Sequence, residues 1–584
     1  MATIHYQVKL HSLHAHLFEI VCTIPAPAAE GQRFSLPAWI PGSYLVRDFA
    51  RHITQIGAES EGKKVHISKL DKNTWQCAPC KERLTIRYQV YAYDLSVRTA
   101  YLDQQRAYFN GTSLFIQVEG KADAQCEVSL EAGPKPSKSW QVATTLPKVK
   151  VNKQGYGTYK AENYTTLIDH PVEISDLAIG EFKAKGIPHR IIISGKHKAD
   201  LKRIIKDLKQ LCEYHIGFFG TAPFKHYDFL LYAAADNQYG GLEHRDSTSL
   251  ICPRSWLPSK DTATDETLYQ DFLGLCSHEY FHAWHVKRIR PEVFANPDLA
   301  REAYTRLLWV FEGFTAYYDT LALRRSGLIS DEAYLKALSK DISRFLRTPG
   351  RTLQALDESS FDTWIKLYRP DENTPNAQIS YYLKGSLVAL AIDLTLRIKG
   401  HSLDEVMHGL WQDYTATGKL VAEEDMAALI RQYTGQDLRK LLAATVQGSE
   451  DPPLAKLFSQ FGILLEAEHA DSNVLRDRAG LQLASEQDAR ISHVFSGSPA
   501  ETAGLAAGDT LIAADRIKLT AKSLKDLVKH QKNGTPIRLH FFRRDELISA
   551  DMVLGDRIAS AHTLKLKGES TGKPATLRAG WLNG

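Results

Sequence analysis

The residues best suited to chemistry in this 584-residue chain stand in one run, Ser277-His278-Glu279-Tyr280-Phe281-His282. Leu268, Phe272 and Leu275 stripe the approach to it at helical spacing, so the run is expected to continue a helix. Side chains four apart on a helix lie one turn above each other. His278 and His282 are thereby able to aim imidazole nitrogens at one point about 2.0–2.1 Å away, the Zn–N distance. Glu279 is adjacent to that point. Bound Zn²⁺ lowers the pKa of its water towards ~7, and a neighbouring carboxylate can take the proton as the water attacks a carbonyl. Two histidines leave such a metal one protein ligand short of the usual catalytic three. Glu312 is the expected third, a carboxylate in the apolar and aromatic stretch Trp309 to Tyr318, where a charge is costly unless paired or on a metal. His285 reads as a supporting or core residue, and Lys287, Arg288 and Arg290 read as a basic run that either meets the substrate's far carboxylate or, the preferred reading, is solvated.

The elements that must position these residues are legible in the periodicity. From Ile4 to about Ser194 the period is two. Leu84, Ile86, Tyr88, Val90 and Ala92 alternate with Thr85, Arg87, Gln89 and Tyr91, and turn formers such as Pro41-Gly42 and Asn110-Gly111 separate the runs, which implies an all-β domain. After Lys196 the period becomes helical. Leu201, Ile204, Ile205 and Leu208 stripe one helix, Leu335, Leu338, Ile342 and Phe345 another, and helical segments run from about Thr267 to Tyr433. Ser402 with Glu405 forms a capping box after the stop signal Gly400. Tyr227 to Ala234 and Ser249 to Cys252 are expected as short strands beside these helices. From about Gly480 strands return, with a Ser498-Pro499-Ala500-Glu501 capping box, a strand at Thr510–Ala513, a helix near Ser523–His530 and an alternating strand at Ile537, Leu539 and Phe541. This last region resembles a PDZ domain. Gly480-Leu481-Gln482-Leu483 stands where that family has its Gly-Leu-Gly-Phe carboxylate-binding loop, and Gln482 departs from the pattern.

His-Glu-x-x-His followed by a helix bearing Glu312-Gly313-Phe314 is similar to the gluzincin clan of thermolysin-like peptidases, and more closely to the glycyl aminopeptidase family, which joins such a domain to a PDZ module. The segments Leu36 to Ala50 and His285 to Pro291 also resemble that family, so the likeness spans nearly the whole chain. Gly240-Gly241-Leu242-Glu243-His244 is similar to the Gly-x-Met-Glu-Asn motif of related aminopeptidases. The resemblance implies that Glu243 holds the substrate's free α-amino group while the backbone at Gly240 and Gly241 lies along the peptide, with Leu242 and His244 as departures. Tyr381-Tyr382-Leu383-Lys384-Gly385 resembles their Tyr-x-Lys-Gly segment. That likeness implies Tyr382 as hydrogen-bond donor to the oxyanion, with Tyr381 as the alternative.

The expected fold is multidomain α+β. It comprises an N-terminal β-sheet domain over 1–180, a thermolysin-like zinc peptidase domain over 181–330, a helical subdomain completing the active-site cleft over 331–465, a PDZ domain over 466–556 and a tail over 557–584. The expected activity is that of a zinc aminopeptidase with one Zn²⁺ per chain, acting through a zinc-bound water on peptides with a free N-terminus. The family likeness implies glycine or alanine as the residue removed. A thermolysin-like endopeptidase, or a PDZ-bearing peptide-binding scaffold with an idle metal site, are the rival readings, and a C-terminal peptide is the ligand a PDZ module implies.

Composition narrows the partners. Hydrophobic residues make up 43% and charged residues 24%, as in ordinary globular protein, and a net charge of +4 is small for this length. Neither nucleic acid nor a membrane surface is indicated. Met1 to Gln7 has no basic run leading into an apolar stretch, and no window reaches about 18 uninterrupted apolar residues, so a soluble cytoplasmic protein is expected. Seven scattered cysteines make no disulfide framework, and Cys77-Ala-Pro-Cys80 reads as structural.

Overall fold

Strict alternation is what the first sheet is built from. Ile4–Ser12 and Leu84–Tyr91 bury every second side chain, and they lie in an eight-stranded sheet in which Ile4–Ser12 pairs with Leu17–Ile24 and, in parallel, with Cys126–Glu131. The buried face carries Val8, Phe18, Ile20, Ile86 and Tyr88. Each such side chain removed from water stabilises the domain by roughly 1.5–3 kcal/mol. Two further four-stranded sheets complete this all-β region. Asn110-Gly111, expected as a turn, instead begins a short helix, Gly111–Leu114, with Asn110 as its N-cap. A Cβ at Gly111 would stand 2.7 Å from the Cα of Ile168, so close packing rather than a reversal demands the glycine. All seven cysteines are free thiols, and burial pushes Cys77 up to about 12.

The structure is a computed structural model that describes residues 2–135, 137–424, 426–485, 487, 489–568 and 571–584. It divides into two units. The first comprises Met1–Ala303, Ser326–Leu328 and Trp411–Val421, and the second Tyr304–Arg325, Ile329–Leu410 and Ala422–Gly584.

Besides the β region, the first unit contains a five-stranded sheet. Its strands are β1 (Ala178–Ala184), β2 (Ile187–Ser194), β3 (Tyr227–Ala234), β4 (Gly240–Glu243) and β5 (Ser247–Pro253), in the order β1-β2-β3-β5-β4. β2, β3 and β5 run parallel, whereas β4 pairs antiparallel with β5 alone and forms an edge. The near-continuous burial of β3 and β5 is that of strands covered on both faces. Helix α1 (Leu201–Phe219) crosses from β2 to β3, and α2 (Glu266–Phe281) follows β5. Both begin at aspartates, Asp200 and Asp265, whose side chains accept from the next free backbone N–H groups. Trp39 anchors the Leu36–Ala50 segment, its indole N–H donating to the carbonyl of Arg301 at 2.8 Å.

The second unit is helical and then β. In it, α3 (Leu308–Phe311) and α4 (Gly313–Arg325) are separated at Glu312, and both pack on α5 (Tyr381–Ile398), which starts at an N-cap serine, Ser380. A window of the span Thr374–Ile398 is long and apolar enough to cross a membrane, and 78% of it is buried inside the protein. Further on, Thr510–Ala514, Pro536–Arg543 and Glu546–Val553 form an antiparallel sheet with Ile517–Lys518 at its edge. Helix α6 (Ala521–His530) contributes Leu524 and Val528 to a core with Leu481, Ile491, Leu511 and Phe541. Within the stretch read from sequence as a tail, Ala561–Leu566 pairs with Ile463–Glu468, and the helix Lys573–Asn583 buries Trp581 completely.

Candidate active site

α2 ends at Phe281, with His282 as its C-cap in a helical conformation (φ −60°, ψ −20°). The four-residue spacing therefore survives the helix end, and the rings of His278 and His282 lie edge to face with centroids 4.7 Å apart. Nδ1 of His282 is 2.8 Å from the carbonyl oxygen of His285. Since a carbonyl only accepts, Nδ1 carries the proton and Nε2 keeps a lone pair for a ligand. His285 itself is fully buried, and the next residue, Val286, takes φ 143°, which a β-branched residue seldom adopts. Such strain, about 1–3 kcal/mol, persists only where surrounding structure imposes it.

Glu279, on the turn between the two histidines, faces the edge strand β4. One ligand-capable atom each from Glu243, Glu279 and His282 lie within 4.8 Å of one another, and all three residues are buried. Two glycines make room for the carboxylates. A Cβ at Gly241 would stand 2.0 Å from Oε1 of Glu279, and one at Gly42 would stand 2.5 Å from both oxygens of Glu243. Gly42 also adopts φ +93°, a conformation natural to glycine. Arg98 donates to the carbonyl of Gly241 at 3.0 Å, and a Cβ at Gly240 would approach Arg98 to 3.2 Å.

The basic run expected in solvent is instead drawn in behind this wall, with Arg288 buried and Lys287 and Arg290 half-buried. Lys287 Nζ is 2.6 Å from Oδ1 of Asp169, and the backbone N–H of Arg245 donates to the other oxygen of Asp169 at 2.8 Å. His244 Nδ1 lies 3.6 Å from the same carboxylate. Burial alone would push the Asp169 carboxyl up, but Lys287 and then His244 hold it well below the usual range. Arg288 donates to the carbonyls of Arg245, Ala283 and Pro223 and pairs with Asp246 at 3.3 Å. Burial, with Arg245 adding to it, pushes Arg288 down to about 10. These contacts tie the chain after His282 to the turn after Glu243. Tyr280 fixes α2 from the other side, its hydroxyl 2.8 Å from Nε2 of His189, which burial pushes down to about 4 and so keeps neutral.

In the second unit Glu312 is 2% exposed at the break between α3 and α4. Gly313 and Gly385 bring α4 and α5 together, since a Cβ at Gly313 would stand 2.6 Å from the Cα of Gly385. The two candidate tyrosines differ. Tyr381 is fully buried, accepts from Thr363 Oγ1 at 3.1 Å, and is driven well above its ordinary value by burial. Tyr382 is half-buried, stacks on Tyr381 with centroids 4.7 Å apart, and its hydroxyl lies 3.2 Å from that of Tyr368. Lys384 is fully buried, and among the described residues its Nζ has no hydrogen-bond partner. Sequence reasoning missed Asp169, Thr363 and Tyr368, which belong to no motif; Gly42 lay within the quoted Leu36–Ala50 segment.

Comparison with known proteins gives the family. The Peptidase M61 N-terminal domain matches residues 5–176 and the M61 glycyl aminopeptidase domain matches residues 271–388. The crystal structure of an aminopeptidase N family protein from Idiomarina loihiensis is 39% identical, covering 99% of this chain and 100% of that chain with a TM-score of 0.94. An M1 zinc metallopeptidase from Deinococcus radiodurans (15% identity, 77% of this chain and 95% of that chain, TM-score 0.49) and native yeast LTA4 hydrolase (12%, 82% and 72%, 0.49) are more distant. No curated protein matches. These matches make the chain a peptidase. The chain belongs to the M61 glycyl aminopeptidase family.

Proposed function

We propose that the protein is a zinc-dependent aminopeptidase that removes N-terminal residues, small ones such as glycine or alanine, from peptides. One Zn²⁺ per chain would be held by His278, His282 and Glu312. The donor chemistry fits: two imidazoles and a carboxylate are a common catalytic zinc set, and His282 has its Nδ1–H committed to a carbonyl, which leaves Nε2 for the metal. Bound there, zinc would polarise the scissile carbonyl and lower the pKa of a water towards ~7.

The chain's own residues do the rest. Glu243 receives the substrate's α-ammonium in a charge-assisted hydrogen bond, which restricts cleavage to the first peptide bond. The backbone of Gly240 and Gly241, on an edge strand, lines the peptide. Glu279 takes the proton of the attacking water and returns it to the leaving nitrogen. Tyr382 donates to the oxyanion, a role this half-buried residue suits better than the fully buried Tyr381, which is bonded to Thr363.

The observation that carries this reading is the burial of the Glu243 carboxylate against Gly42 and beside Glu279 and His282, since a carboxylate enclosed so deeply demands a cationic partner. Release of glycine or alanine from short peptides should stop when the N-terminus is acetylated. Continued cleavage of the acetylated peptide would establish the endopeptidase instead. A second reading is favoured by the same cluster: Glu243 itself as a metal ligand. Glu243→Gln would then lower bound zinc, whereas an amine anchor predicts full zinc and a raised KM.

The 466–556 region is proposed as a PDZ domain with a peptide C-terminus as ligand, supported by its shared core and by Gly480 at φ +72°, where a Cβ would meet Ser498 at 2.0 Å. A cytoplasmic location is supported by the seven free thiols.

A further inference from the structure

The second unit contains a cavity of 850 Å³ to which the reading above assigns no ligand, a volume within the ~300–1,000 Å³ of small-molecule sites. Arg347, Arg351, Arg476, Asp477, Phe495 and Leu554 are among its lining residues. Gly480 reaches it, but no residue of α6 does, which separates it from any groove between that helix and Leu481–Leu483. Arg478, also in the wall, is fully engaged with the carbonyl of Gln531 at 2.8 Å and Oδ1 of Asn533 at 2.6 Å.

Two features of the lining call for a ligand. The first is positive: Arg476 lies over the ring of Phe495, its Cζ 3.8 Å from the centroid, and donates to the carbonyl of Arg347. Burial, with the guanidinium of Arg347 adding to it, pushes Arg476 down to about 10. Nε of Arg347 is buried and has no hydrogen-bond partner among the described residues. The second feature is negative. Asp477 is 4% exposed, and neither of its carboxylate oxygens accepts a hydrogen bond among the described residues. Its ion-pair neighbour Arg557 has Nε at 3.7 Å, beyond hydrogen-bond length. Burial pushes the Asp477 carboxyl up in spite of Ser560, Arg557 and Arg347 nearby.

A purely anionic ligand would face Asp477, and a purely cationic one would face the arginines. We infer that the cavity is a second binding site for a zwitterion, a free α-amino acid with an apolar side chain. Its carboxylate is received by Arg347 and Arg476, its ammonium by Asp477, and its side chain by Phe495 and Leu554. The inference concerns binding alone and does not depend on which peptide bond the enzyme cuts.

The test is calorimetric titration of L-leucine into the full chain carrying Glu243→Ala, a background that removes the proposed amine anchor of the active site. One-to-one saturable binding is expected, weakened at least about tenfold when Asp477→Asn or Arg476→Gln is added, the loss of one charge-assisted hydrogen bond. N-acetyl-leucine and leucinamide, each lacking one charge, should bind at least about tenfold more weakly than leucine. Asp477→Asn and Arg476→Gln in the otherwise native chain should keep the parent kcat/KM, which reads their folding; Arg347→Gln replaces either one that does not. Absence of saturable leucine binding, binding indifferent to these substitutions, or N-acetyl-leucine binding as tightly as leucine would each overturn the site.

Discussion

Both units place glycines where no side chain fits, and for different reasons. In the first, Gly241 and Gly42 face the ends of side chains, the carboxylates of Glu279 and Glu243. In the second, Gly313 and Gly385 face each other's backbone, where α4 crosses α5. A carboxylate tip can swing away from an intruding methyl group, whereas two helix backbones cannot part without unpacking the core around them. One residue type therefore reports on chemistry in one unit and on packing in the other. Substitution should separate them.

The largest effect is expected at the chemistry itself. Glu279→Gln should lower kcat by about 10²–10⁴-fold, the usual contribution of a general base, with Tm unchanged. Activity close to wild type would remove Glu279 from that role. Next come the tyrosines: Tyr382→Phe should cost about 10²–10³ in kcat, the loss of one oxyanion donor, while Tyr381→Phe should chiefly affect stability through its bond with Thr363. The opposite pattern would exchange the two assignments.

Gly241→Ala bears directly on the contrast between units. Its methyl group would displace Glu279, and since misplacement by about 1 Å can cost on the order of 10²-fold, activity should fall while the denaturation midpoint holds. Gly313→Ala should do the reverse, destabilising the fold by about 1–3 kcal/mol in chemical denaturation as other overpacked cores do. Equal stability losses in the two variants would erase the distinction.

The smallest effect concerns Lys384. Burial, with Arg351 adding to it, pushes its ammonium down to about 8. A lysine in the unfolded chain titrates near ~10.4, so the unfolded state binds more protons between those values and this group's contribution to stability rises with pH across that window. Lys384→Met should accordingly be more stable than wild type at pH 7, with the advantage shrinking as pH approaches 10.5. A Tm difference that stays constant over that range would refute the buried-ammonium account.

Local patterns were legible and remote partners were not. Alternation in Leu84–Tyr91, the stripe leading to His278, and the caps at Ser402 and Ser498 all act within a few residues and appear in the structure, although the Glu501 carboxylate accepts from the N–H of Gly497 instead of closing a box on Ser498. Lys287 and Arg288 were misjudged because the groups that neutralise and bury them, Asp169 among them, lie far away in the chain. Asn110-Gly111 misled for a similar reason, since its glycine answers to Ile168. Nothing periodic marked Trp581, whose indole donates to the hydroxyl of Tyr317 at 3.0 Å.

Sequence by itself determined the type and spacing of His278, Glu279 and His282, because helical geometry makes four-residue spacing a local property. It also marked Glu312 as a carboxylate in apolar surroundings. Tertiary structure alone decided that Glu243 is enclosed against Gly42 and beside Glu279, that His282 is held as the Nδ1–H tautomer, and that Tyr381 is enclosed where Tyr382 is half-open. Charge state and accessibility depend on what packs around a group, and those neighbours arrive from distant parts of the chain.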